Sequence, residues 1–291
     1  MTIPLAHNTD SSWIYDVHVY PKNQTKNVPE KEINEDETQE GLVVGSTVEW
    51  TITQTVPALS AGETYNSASI YEVLDPEWLA YDATSELTLN DTVLVEGTDY
   101  EIEGPTANGS GNKVVTWKLT GALANLEAND VLKVTFTTTV LKVSANGEIE
   151  NPGSGGETPG YGSEFNGEKI PGGPTPATYW GALAVEKVDQ DGKALAGAVF
   201  EVYPANEGDV CPADVADITG DKVSTGTSEA GTGLVLWTPN VPDNSSPLGL
   251  FVHNTNDETE NPADFEKTYC MYETVVPAGY EGIPVETVVV E

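Results

Sequence analysis

WIYDVHVYPKN, residues 13–23, sets the reading of the whole chain. Val17 and Val19 alternate with His18 and Tyr20 at the two-residue period of a half-buried strand. Pro21 then removes a ladder donor and fixes φ. Lys22 is thereby expected at the exit of a rigid element. On spacing alone it is a solvated lysine in the turn that ends a strand.

The same period recurs downstream. Segments 28–33, 42–56, 67–74, 85–95, 113–119 and 131–143 carry Val, Ile, Thr and Tyr at strand spacing, and turn-rich pieces such as 108–112 separate them. Short strands without a 3.6-residue period predict a β-sandwich. Residues 152–176, PGSGGETPGYGSEFNGEKIPGGPTP, have little to bury and read as a long loop or linker. Strand patterning resumes at 179–187, 198–203, 233–237, 269–275 and 285–290, a second sandwich with long loops at 204–232 and 253–267.

Composition agrees with this. The 291 residues suit two domains, and 38% of them are apolar, enough for packed sheets. Twelve basic residues, all lysine, against 47 acidic ones give a net charge of −35, which repels nucleic acid and anionic lipid. Nucleic-acid binding is excluded on that ground. No apolar run approaches the roughly 18 residues that span a bilayer, and MTIPLAHNTD has neither the basic start nor the apolar centre of a signal peptide.

Trp13, Val17, Val19, Tyr20, Pro21, Lys22 and Asn23 together resemble the pilin motif of sortase-assembled Gram-positive major pilins, actinobacterial fimbrial shaft subunits above all. The resemblance implies that Lys22 is the acceptor through which a pilin-specific sortase joins one subunit to the next. It also implies that residues 1–26 are the last strand of an upstream domain plus a linker, and that Met1 is not the natural start. An export signal would precede this stretch, and a sorting motif and membrane anchor would follow it. The protein would then sit in an extracellular, cell-wall-anchored pilus. Its partners would be neighbouring pilins and the sortase, with a tip adhesin and host surface receptors as further partners.

Within the second half, ALAVEKVDQDGKALAGAVFEVY (182–203) and YETVVPAGY (272–280) resemble the opening and the E-box of collagen-adhesin B-type domains. The expected fold is therefore all-β, two tandem immunoglobulin-like sandwiches. Residues 27–176 form the middle one with a Gly/Pro-rich end loop, and 177–291 form a B-type sandwich lacking its final strand. Alternation of Leu183, Val185 and Lys187, and of Met271, Glu273 and Val275, points Lys187 and Glu273 inward. A buried neutral amine beside a buried acid can attack an asparagine carboxamide. The product is an isopeptide bond, with ammonia lost. In the family the asparagine lies on the final strand, and no Asn follows Asn261 here. An ordinary buried Lys–Glu ion pair is the plainer reading of the two.

The middle domain offers a parallel set in Lys31, Asn151 and an acid, either Glu72 or Asp75. Strand alternation favours Glu72 because it shares a face with Ile70 and Leu74, whereas pilin middle domains usually have Asp there. Lys26 is the alternative to Lys31. Cys211 and Cys270 suit a disulfide tying the 204–232 loop to the E-box strand, with two buried free thiols as the other option. Asn254, Asn256, Asp257, Glu260 and Asp264 crowd oxygen donors into one acidic loop that would suit Ca²⁺, although no EF-hand pattern is present and a solvated loop explains them as well. No other cofactor is expected. No nucleophile elbow, HExxH or phosphate loop appears, so turnover catalysis is not expected either. The competing class is an adhesin that binds a receptor through its long loops.

Overall fold

The computed structural model describes residues 27–34, 41–144, 147–151, 160–240, 245–257 and 259–291, with the Glu150 side chain left aside. The 13–23 stretch, with Lys22, and the alternative Lys26 lie outside the described residues.

Among the described residues eleven strands lead to the end of the first sandwich: β1 Glu30–Ile33, β2 Thr47–Thr55, β3 Ala68–Leu74, β4 Leu79–Leu89, β5 Thr92–Val93, β6 Tyr100–Ala107, β7 Lys113–Leu119, β8 Val131–Val140, β9 Glu148–Glu150, β10 Tyr161–Phe165 and β11 Glu168–Pro171. One sheet runs β1-β2-β8-β4-β5 and faces another ordered β11-β10-β3-β7-β6. Alternation decides what lies between them. From β2 come Val48, Trp50, Ile52 and Gln54, and from β8 Leu132, Val134, Phe136, Thr138 and Val140, all buried.

Seven strands follow: β12 Ala177–Leu183, β13 Val199–Pro204, β14 Ser224–Ser228, β15 Val235–Thr238, β16 Leu248–Thr255, β17 Lys267–Val275 and β18 Glu286–Val290. The order β15-β14-β13-β17-β18 makes one sheet of the second sandwich, and the three-stranded sheet β16-β12-β9 makes the other. This smaller sheet is a wall between two cores. Leu248, Leu250 and Val252 of β16 pack into the second core, while Phe251 and Trp180 join the first, their rings 5.4 Å apart. The link before β2 crosses the same wall, with Val44 in the first core and Val43 in the second. Gly249 permits that approach, since a Cβ there would lie 2.2 Å from Val44 Cγ2.

The structure corrects the sequence reading of 152–176 as loop. Residues 161–171 form the β10–β11 hairpin, which pairs with β3 and completes a sheet of the first sandwich. Asn166 and Gly167 make its turn with φ of 53° and 80°, the double positive that a two-residue hairpin of this hand requires. Four further strands, β6, β9, β14 and β16, lie outside the segments read as strand. β6 carries Gly104 and Pro105 at a break in register, β14 turns small residues inward, and β16 is buried along nearly its whole length and so shows no alternation.

Candidate functional site

Lys31, Glu72 and Asn151 meet inside the first sandwich. The pattern of β1 turns Lys31 and Ile33 inward from one sheet, and β3 turns Ile70 and Glu72 inward from the other. Asn151 arrives directly after β9. Relative exposure is 6% for Lys31 and 0% for both Glu72 and Asn151. Lys31 Nζ lies 3.0 and 2.9 Å from the two Glu72 carboxylate oxygens and donates to the main-chain carbonyl of Asn151 at 2.6 Å. One orientation of the Asn151 amide satisfies both neighbours: Oδ1 accepts from Lys31 Nζ at 2.9 Å and Nδ2 donates to Glu72 Oε1 at 3.2 Å. The Thr175 hydroxyl donates to the same Asn151 carbonyl.

The rings of Trp50 and Tyr161 stand 5.0 and 5.3 Å from Nζ and keep water from the pair. Burial lowers the Lys31 ammonium from its ordinary 10.5 to about 8, against the opposing pull of Glu72. Burial likewise raises the Glu72 carboxyl from 4.5 to about 7, against the opposing pull of Lys31. Near neutral pH the site is thus close to exchanging its ion pair for a neutral amine beside a neutral acid. That is the state in which an amine is a nucleophile and an acid can polarise a carboxamide.

Asp75, the alternative acid, is in the turn after β3, where its side chain accepts from the Glu77 amide at 2.9 Å. Glu72 is the acid that faces Lys31.

In the second sandwich Lys187 and Glu273 are also brought together. Nζ lies 2.9 and 3.0 Å from the two carboxylate oxygens, and the side chains are 9% and 0% exposed. The Ile283 amide donates to Glu273 Oε2 at 2.9 Å. The local structure differs from the expected continuous strands. β12 ends at Leu183, and Lys187 sits in an extended segment held by its amide to the Gly233 carbonyl at 2.8 Å. A register shift between β13 and β17 leaves Val275 half exposed, so Glu273 points inward without it.

Cys211 and Cys270 form a disulfide with a Cα–Cα distance of 5.4 Å, which fastens the loop before β14 to β17. The donors of the acidic segment do not share a focus. Asn254 and Asn256 reach back to the backbone of residues 33 and 34. Asp257 accepts from the amide and hydroxyl of Thr259, Glu260 from the Thr255 hydroxyl, and Asp264 from the Asn261 amide. Among the described residues no three His, Cys, Asp or Glu side chains converge as a metal site would need. Sequence reasoning missed Trp50, Tyr161 and Thr175 as walls of the Lys31 site. Alternation in β2 could have supplied Trp50, but Tyr161 and Thr175 lie in the stretch read as loop.

No family model matches the chain. It is 31% identical over 304 residues to the fimbrial subunit type 2 of Actinomyces naeslundii, covering 96% of this chain and 53% of that protein. The chain spans about half the length of the curated relatives it matches. Among solved structures, the full-length major pilin SpaD from Corynebacterium diphtheriae superposes with a TM-score of 0.70 at 25% identity, covering 99% of this chain and 67% of that one. Domains D2 and D3 of SpaD share the fold, with a TM-score of 0.64 at 21% identity, 89% of this chain and 88% of that one. The resemblance to Gram-positive major pilins drawn from the motifs is thus matched by similarity over nearly the whole chain.

Proposed function

We propose that this chain is a shaft segment of a covalent surface pilus, stabilised by an isopeptide bond between Lys31 and Asn151 that Glu72 promotes. The observation that carries the proposal is the buried meeting of amine, acid and carboxamide. Neutral Lys31 Nζ attacks Cγ of Asn151 once the carboxamide turns its oxygen to protonated Glu72, which polarises it. The Nζ–Cγ bond forms, the Cγ–Nδ2 bond breaks, and the amine's proton passes through Glu72 to the departing ammonia. Holding the reactants in contact supplies the effective concentration that an uncatalysed amide exchange lacks.

The bond would tie β1 to the residue that follows β9, so tension along the chain could not draw out what lies between. In this reading Lys22 accepts the sortase-held end of a neighbouring subunit outside the cell, and a tip adhesin and host receptors are further partners. The role is structural, and the one reaction is single and intramolecular.

Intact mass and peptide mapping test the crosslink. Wild type should lack one ammonia, mapped to a Lys31–Asn151 branched peptide, and Glu72→Ala should keep its full mass. An unmodified wild-type mass overturns the crosslink. Replacing Lys22 with Ala should abolish covalent multimers in the presence of the cognate sortase; multimers of ordinary length from that variant overturn the shaft role.

A further inference from the structure

Among the described residues β1 is the edge strand of its sheet and pairs with β2 alone. An edge strand without cover frays, and Lys31 is carried on this one. Its outer edge is covered at both ends, and the Tyr161 hydroxyl meets the Lys31 main chain between them. Near its start, the Gly173 amide donates to the Pro29 carbonyl at 3.2 Å. At its end, the Ile33 amide donates to Asn256 Oδ1 at 2.7 Å, and Asn256 Nδ2 donates to the Ile33 carbonyl at 2.9 Å. The side-chain carboxamide takes the place of a peptide unit in a neighbouring strand. Asn254 adds a bond from Nδ2 to the Asn34 carbonyl at 2.8 Å.

Asn151 is traced to the same place. Its neighbour Glu150 sits opposite Ala177 of β12, and Ala177 sits opposite Thr255 of β16. Asn256 is the next residue. A closed circuit therefore runs from Asn151 through Glu150, Ala177, Thr255, Asn256 and Ile33 to Lys31. Both reactants hang from one level of the three-stranded wall.

We infer that Asn256 is a positioning residue for the Lys31–Asn151 crosslink, so that the wall must be in place before the bond can form. This rests on the isopeptide reading of the site. Asn256 acts through β1, whose main chain it holds at Ile33, two residues from Lys31. It lies exposed at the end of β16, so truncating it opens no cavity in either core. A displacement of the amine by about 1 Å is enough to slow such a reaction by about 100-fold.

The test is a time course on the full chain made by cell-free translation, quenched in denaturant at intervals and weighed intact. Asn256→Ala should lose its ammonia about 10- to 100-fold more slowly than wild type, with the thermal transition shifted little. Asn256→Gln, which keeps both the donor and the acceptor, should recover part of the rate. It also carries the comparison if the alanine variant shows no folding transition. A wild-type rate in Asn256→Ala, or a slow Asn256→Gln that equals the alanine variant, overturns the positioning role while leaving the crosslink standing. A wild type that never loses ammonia overturns both.

Discussion

Lys31 Nζ and the main-chain carbonyl of Asn151 are 2.6 Å apart although 120 residues separate them in sequence. Nearly all of the first sandwich lies within that span, apart from the β10–β11 hairpin. The contact is therefore made only when both sheets have formed and closed, which makes it a report on the finished fold.

The rate of crosslinking should follow a bell in pH with its maximum between about 7 and 8. Below the value to which Glu72 is raised, both groups hold their protons and the amine is not a nucleophile. Above the value to which Lys31 is lowered, both have lost them and no acid remains. Rates of ammonia loss in buffers across this range check it, and a rate that climbs steadily to high pH would remove Glu72 from the chemistry.

A chain that cannot crosslink, Asn151→Ala, should show the same pair in its stability. The folded carboxyl of Glu72 is raised, so the folded state holds more protons than the unfolded between 4.5 and about 7, and stability falls as pH rises through that window. The folded Lys31 is lowered, so the unfolded state holds more protons between about 8 and 10.5, and stability rises there. The pair should thus contribute least near pH 7 to 8. Urea midpoints against pH, compared with the same variant carrying Lys31→Met and Glu72→Leu, isolate this effect; a flat difference would contradict it.

Lys187→Met should destabilise the second sandwich by about 3–5 kcal/mol, because it leaves the fully covered Glu273 carboxylate without its cation. Adding Glu273→Leu should restore most of the loss. If the double variant is as weak as the single, the pair contributes by packing and not by charge.

Opening the Cys211–Cys270 bond by replacing both with Ser should cost about 4 kcal/mol, from the 59-residue span it closes, in the chain-entropy account. Calorimetry of the double-Ser variant gives the figure, and an unchanged melting temperature would show that the loop is held by other contacts, such as the Tyr272 hydroxyl on the Pro212 carbonyl.

The site was legible wherever alternation alone places a side chain. β1 and β3 are short and regular, so Lys31 and Glu72 could be turned inward from their neighbours. The Glu72 and Asp75 alternatives separated on the same ground, because a residue in a turn spends its carboxylate on the turn. What could not be read was long-range and depended on tertiary burial. β16 is covered on both faces and loses its period, and the β10–β11 hairpin is hidden by flanking Gly and Pro although Asn166-Gly167 marks its turn. Composition places Asn256 among the oxygen donors of an acidic loop, whereas the direction of its carboxamide comes only from the fold.

The wall made by β9, β12 and β16 has one more consequence. Two domains joined by a simple linker can swing, but these share a sheet whose opposite faces belong to different cores, and bending one against the other would pull Trp180 and Phe251 out of their packing. Among the described residues the two sandwiches are thereby braced as one stiff unit. Were the chain part of a fibre, bending would have to fall outside the two sandwiches that share this wall.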